Sequence, residues 1–218
     1  MKGSRWSRWY DVGSGKIDNN PEALAAKIDL REKVLSEVPD ASVLDLYCGV
    51  ERQMYEAVWK RANSYVACDA RPWTPAEPTR FVADNRVLLR CLPLEPFNVF
   101  DVDAYGSPWE QMLILAHRRR WASGERGAVV LTDGSNMQMR FGGVPHAIAQ
   151  LVGLKCLQGI PSIRSAHDLQ GLALKAWVTK AGVTPVRMWI AEGHHIANGG
   201  KRHGDMLYMA VVFEGNMA

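Results

Sequence analysis

The chain has 218 residues, 47% hydrophobic and 22% charged, which is enough apolar material for a sizeable core in an ordinary soluble globular protein. A net charge of +3 is too small for nucleic-acid binding to be read from charge alone, so local patches must carry any such affinity. No apolar run is long enough for a membrane span, the basic N-terminus lacks a signal peptide's apolar stretch, and Cys48, Cys68, Cys91 and Cys156 show no CxxC spacing; the expected setting is a reducing cytoplasm, with neither a disulfide framework nor a zinc site.

Residues 1–18 read as a basic, aromatic arm, and 19–218 as one domain. In the arm, "RWSRWY" (5–10) interleaves Arg5 and Arg8 with Trp6, Trp9 and Tyr10. A helix follows over 19–38, with Pro21 at an early position. Then come a strand at 42–48, a helix at 51–61, and strands at 64–69, 80–84 and 98–104. A helix is expected at 107–121, a strand at 127–133, and helical stretches near 145–154 and 166–180. Two final strands, 184–193 and 205–215, are joined by "HHIANGGKRH" with no helix between them.

Strands alternating with helices imply a parallel sheet covered on both faces, and the closing hairpin makes the last strand antiparallel. This order resembles the class I S-adenosylmethionine-dependent methyltransferases. The implied fold is α/β and Rossmann-like: a mostly parallel seven-stranded sheet with helices on both faces and a C-terminal antiparallel hairpin.

In open α/β sheets, ligands sit at the carboxyl ends of the strands. Four strand ends here carry acids. Asp45 precedes Gly49, whose turn lets backbone approach a ligand. Asp69 lies 24 residues after Asp45, the place for an acceptor of both ribose hydroxyls. Asp84 ends the third strand, suited to an adenine amine; a helix N-cap is the competing role for such acids. A nicotinamide enzyme would want G-x-G-x-x-G in the first turn, but "CGVERQ" has one glycine, and Glu51 would repel a pyrophosphate. A sulfonium tolerates acids. The expected cofactor is therefore S-adenosyl-L-methionine, bound by Asp45, Tyr47, Gly49, Asp69, Asp84, Asn85 and Asp101.

The fourth strand ends in "DVDAYGSP" (101–108). Asp101 and Asp103 are two apart, so they share a face of the sheet, with Val102 and Ala104 on the other. Asp103 is placed to accept from an acceptor amine, and Tyr105 to stack on a base. Asp101, one step deeper, is expected to be buried and paired. A cytosine-C5 enzyme would use a cysteine here, and none occurs between 92 and 155. The competing role for Asp103 is to cap the following helix.

"DVDAYGSP" resembles the D-x-D-P-[FY]-G-S-P motif of the tRNA guanine-N2 methyltransferase family, with Ala104 in place of the proline. "NNPEALAAKIDLREKVL" resembles that family's N-P…N-R-D segment. "VLDLYCGVERQMY", "YVACDARP" and "FVADNRVLL" resemble its first three motifs, with Glu51 departing from the first, and "GAVVLTDGSNM" resembles its following strand. The resemblance covers roughly residues 16–135 and implies N-methylation of an exocyclic base amine, guanine N2-like, with RNA favoured over DNA as partner. The family's C-terminal RNA-binding domain has no counterpart in this sequence. A methyltransferase-fold module without activity, binding nucleic acid or a partner protein, is the competing reading; Glu51 and Ala104 motivate it.

Substrate contacts are expected from Arg5, Trp6, Arg8 and Trp9, and from Lys201 and Arg202 in the hairpin loop, on the cofactor's edge of the sheet; a hydrophobic arm clamped onto the domain with its arginines solvated is the competing reading of residues 5–10. No carboxylate or cysteine joins His194, His195 and His203 at metal-ligand spacing, so no metal is assigned. "HRRRW" (117–121) reads as a solvated helix end, and 134–146 as a lid over the acceptor.

Overall fold

Leu30 and Val34 lie four apart, on one face of a helix, and both are buried. They belong to α1 (Pro21–Glu37), which stops before Pro39. The computed structural model describes residues 21–49, 53–70, 80–104, 106–155, 163–196 and 202–216. After α1 come β1 (Ser42–Asp45), α2 (Gln53–Ala57), β2 (Ser64–Asp69), β3 (Arg80–Val82), α3 (Asn85–Cys91) and β4 (Val99–Asp103). They are followed by α4 (Trp109–Arg118), β5 (Arg126–Asp133), α5 (Asn136–Phe141), α6 (His146–Val152), α7 (Ile163–Ala181), β6 (Val183–Ile196) and β7 (Arg202–Gly215).

The seven strands form one sheet in the order β3-β2-β1-β4-β5-β7-β6. Neighbours from β3 to β5 pair in parallel, and β7 is antiparallel to both β5 and β6. β6 therefore points the same way as β1 to β5, as expected. Central strands are apolar on both sides because both faces are covered: β5 is buried from Gly127 to Asp133. On one face Phe100, Val102, Leu131 and Phe213 pack with Trp109 and Trp177 of α4 and α7. On the other, Val43, Val99, Val130 and Tyr208 pack with α1 and with Trp59.

Two directions matter for the site. The carboxyl ends of β1 to β6 lie along one edge. α7 leads through Gly182 (φ +67°) directly into β6, so it ends at the opposite, amino edge and begins at the carboxyl edge. The β6–β7 ribbon also overshoots the carboxyl edge: β5 ends opposite Leu207, whereas β6 and β7 remain paired to Ile196 and Arg202.

Some expected elements differ. The helix expected at 51–61 is broken, with α2 ending at Ala57 and a separate 3₁₀ turn at Trp59–Arg61. That turn brings the Trp59 indole fully under cover, where it donates to Asp101. The helix from 107 ends at Arg118, and Arg119 is buried rather than solvated. Its guanidinium donates to the carbonyls of Phe97 (3.2 Å) and Glu95 (3.4 Å), pairs with Glu125, and lies 4.1 Å from the Trp121 ring centre. The 134–146 segment contains α5, a helix packed on α7.

Candidate functional site

A helix rises about 1.5 Å per residue and a strand about 3.3 Å, so four helical residues span nearly the same length as two strand residues. Lys27 and Arg31 of α1 are four apart; Asp103 and Asp101 of β4 are two apart. The four side chains meet in register. Arg31 donates from Nε to Asp101 Oδ2 (2.7 Å) and from Nη2 to Oδ1 (2.6 Å). Lys27 Nζ lies 3.0 Å from Asp103 Oδ1, and Arg31 Nη2 lies 3.5 Å from Asp103 Oδ2. Trp59 Nε1 completes the shell of Asp101 at 2.7 Å.

Asp101 and Asp103 therefore share a face, as expected, but in different settings. Asp101 is fully buried. Counted beforehand among the cofactor residues, it is instead committed to Arg31 and Trp59 through both oxygens, so it anchors α1. Asp103, at the strand's carboxyl end, keeps 14% side-chain exposure. Burial opposes its ionisation, but Lys27 and Arg31, with a bond from Thr132, outweigh that and hold its carboxyl below the usual range.

Asp45, beside Asp101 in register, is also buried. Its Oδ1 accepts from the Tyr47 amide (3.0 Å) and its Oδ2 from the Tyr65 hydroxyl (2.7 Å). Burial, then the charge of Asp101, push it up to about 8 against the pull of Tyr47, Tyr65 and Arg31. Asp45 shapes the turn that follows it. In that turn Gly49 has φ +65°, and its amide donates to Asp69 Oδ2 at 3.0 Å, tying the end of β1 to the end of β2. A Cβ built on Gly49 meets none of the described residues within 4 Å, so they leave the space above the turn open.

Asp84 takes the competing role foreseen for it: it caps α3, accepting from the Arg86 amide (2.9 Å) and pairing with the Arg86 guanidinium (2.6 Å), which lowers its pKa. Next to it, Asn85 donates to the Leu46 carbonyl (3.1 Å). Gln111 of α4, not foreseen from sequence, donates to Tyr47 Oη (2.7 Å) and Asn85 Oδ1 (2.9 Å). Gln111 is buried, and its Oε1 has no partner among the described residues. Burial pushes the Tyr47 phenol up to about 12.

The end of β5 adds a third buried acid. Asp133 Oδ1 accepts from the Ser135 amide (2.9 Å) and hydroxyl (2.5 Å), and Oδ2 accepts from the Trp109 indole; burial raises its pKa. The Gly134 amide donates to the Gly106 carbonyl (2.9 Å), joining the turns after β5 and β4. Tyr105, Arg5, Trp6, Arg8, Trp9 and Lys201 lie outside the described residues, and Arg202 opens β7 opposite Ile196. Among the described residues, no cluster suited to a metal occurs, and no helix is long and apolar enough to cross a membrane.

No family model matches the sequence, and no curated protein matches it. Solved structures do match. Trm1 from Pyrococcus horikoshii, in complex with S-adenosyl-L-methionine, is similar at 15% identity and a TM-score of 0.57, over 93% of this chain and 58% of that one. N-methyltransferase NodS from Bradyrhizobium japonicum WM9, in complex with S-adenosyl-L-homocysteine, is similar at 12% identity and a TM-score of 0.51, over 91% of this chain and 89% of that one. Strand order, closing hairpin and these likenesses agree: the chain has the class I S-adenosylmethionine-dependent methyltransferase fold.

Proposed function

We propose that the chain is an S-adenosylmethionine-dependent methyltransferase that N-methylates an exocyclic base amine, guanine N2-like, in RNA. The observation that carries this reading is Asp103: a carboxylate at the carboxyl end of β4, held ionised by Lys27 and Arg31, on the edge where Gly49, Asp69 and Asn85 converge. The solved neighbours' bound S-adenosyl-L-methionine and S-adenosyl-L-homocysteine support the cofactor.

The residues present fit that cofactor. The space that the described residues leave over Gly49 would take a ligand against backbone, with acids and no phosphate-binding glycine run around it. Asp69 serves the ribose hydroxyls. Gln111 Oε1, a buried acceptor without a partner among the described residues, suits the adenine amine. When bound, the cofactor supplies an electrophilic methyl group on a sulfonium.

The chain's own work is at the acceptor. A base amine has its lone pair delocalised into the ring, and methylation builds positive charge on that nitrogen. Asp103 accepts a hydrogen bond from the amine and stabilises the charge as it develops. A carboxyl held below its usual range is a poor proton sink, so its contribution is electrostatic and the departing proton goes on to water. Tyr105, two residues on in sequence, is the stacking residue.

Calorimetry tests the cofactor assignment. S-adenosylmethionine and its demethylated product should both release heat, and Asp69→Ala should weaken both. Binding of a nicotinamide dinucleotide in their place would sink the proposal.

A further inference from the structure

Between Asp133 and Glu192 the chain carries a single acid, Asp168. Residues 134–167 carry none, although 23 acids in 218 residues would put three or four in a stretch of 34. The same stretch holds Arg140, Lys155 and Arg164, whose +3 equals the formal net charge of the whole chain.

The fold places the described parts of this stretch, 134–155 and 163–167, at the edge that carries Asp103. It follows the carboxyl end of β5, the neighbour of β4, and the Gly134–Gly106 bond joins the two turns. It comprises α5, α6 and the first turn of α7, which begins at that edge. Asn136 of α5 meets His167 Nε2 of α7 at 2.8 Å, and α6 packs on α7. His146, Lys155 and Arg164 are exposed. Phe141 is 72% exposed, with the Arg140 guanidinium 5.1 Å from its ring centre. Asp168 is exposed on α7, and Glu192 is drawn to His167 Nδ1 at 3.2 Å.

A ring left this open contributes little to the core, and a surface with more cations than acids favours a polyanion. Aromatic faces interleaved with cations are the platform that single strands use, since a duplex hides its base faces. An exocyclic amine must likewise leave the stack to be methylated. We propose that the surface made by α5, by α6 with Lys155 just beyond it, and by the first turn of α7 docks single-stranded RNA: Phe141 stacks on an unpaired base, and Arg140, Lys155 and Arg164 meet phosphates along a path to Asp103. The direction of that path rests on the methyltransferase reading; the docking itself does not.

The test is fluorescence anisotropy of a labelled single-stranded RNA of roughly 12 nucleotides, without cofactor, from about 50 to 200 mM salt. Phe141→Ala should weaken binding roughly ten-fold or more. Arg140→Gln and Lys155→Gln should each weaken it and flatten the log–log salt slope by about 0.7. Lys180→Gln, in the last turn of α7 at the amino edge, should change nothing. These side chains are at the surface, so melting curves should stay at the wild-type position. The proposal is overturned if wild type does not bind the single strand, if it binds the duplex of the same sequence as tightly, if Phe141→Ala binds like wild type, or if Lys180→Gln weakens binding equally. RNA binding as described, with no heat from S-adenosylmethionine, would leave the docking surface standing and remove the methyl-transfer reading; the converse result would do the opposite.

Discussion

Arg31 grips Asp101 through two hydrogen bonds of 2.6 and 2.7 Å, and both side chains are 1% exposed. One helical turn nearer the carboxyl edge, Lys27 repeats the contact on Asp103. Helix α1 is thus locked to the strand that carries the proposed acceptor site. Removing one partner of a buried pair leaves an uncompensated charge. Arg31→Met should therefore cost about 3–5 kcal/mol in urea unfolding. Arg31→Met combined with Asp101→Leu should recover much of that loss, because no lone charge remains.

Lys27→Met should act on Asp103 more than on the fold. Burial disfavours the Asp103 carboxylate, and Lys27 is the largest influence holding its pKa down. Without Lys27 that pKa rises, so the acid limb of the turnover profile should move to higher pH, and Lys27→Arg should restore it. Stability carries the same sign. A depressed carboxyl pKa contributes stability above its unfolded value, lost as pH falls through the folded value. The Lys27→Met protein should therefore lose less stability on acidification than wild type.

Asp45 gives the opposite slope. Its folded pKa, raised to about 8 mainly by burial, lies above that of a free aspartate carboxyl, about 4. Between those values the folded state holds a proton that the unfolded chain has released, so stability falls as pH rises through this window. Asp45→Asn keeps the shape and removes the proton. Its urea midpoint should be flatter from about pH 5 to 8 than that of wild type.

The ends of β2, β4 and β5 were legible because short apolar runs finishing in an acid read the same way in sequence and in space; β1 stops at Asp45 instead of Cys48, and β3 stops at Val82, two residues before Asp84. β2 fell where the pattern put it; the closing hairpin was legible as a hairpin, but its strands run on to Ile196 and start from Arg202, inside the expected loop. α3 and α5 were not legible: at seven and six residues they hold too few turns for a 3.6-residue period to show. Arg119 was misread because a charged run at a helix end normally faces water; its burial depends on carbonyls from 95 and 97 and on Trp121, which no local pattern reveals. Lys27 and Arg31 were visible only as a pair matched to another pair, four residues in a helix against two in a strand. Gln111 left no signal at all, since its partners come from the ends of β1 and β3.

Transfer of labelled methyl from S-adenosylmethionine to bulk RNA, followed by nucleoside analysis, tests the central claim most directly. Wild type should place label on an N-methylated base, and Asp103→Asn should lower the rate about 100-fold, or about 2.7 kcal/mol, with cofactor affinity nearly unchanged. No label in RNA from a protein that binds the cofactor, or an unchanged rate in Asp103→Asn, would contradict the account.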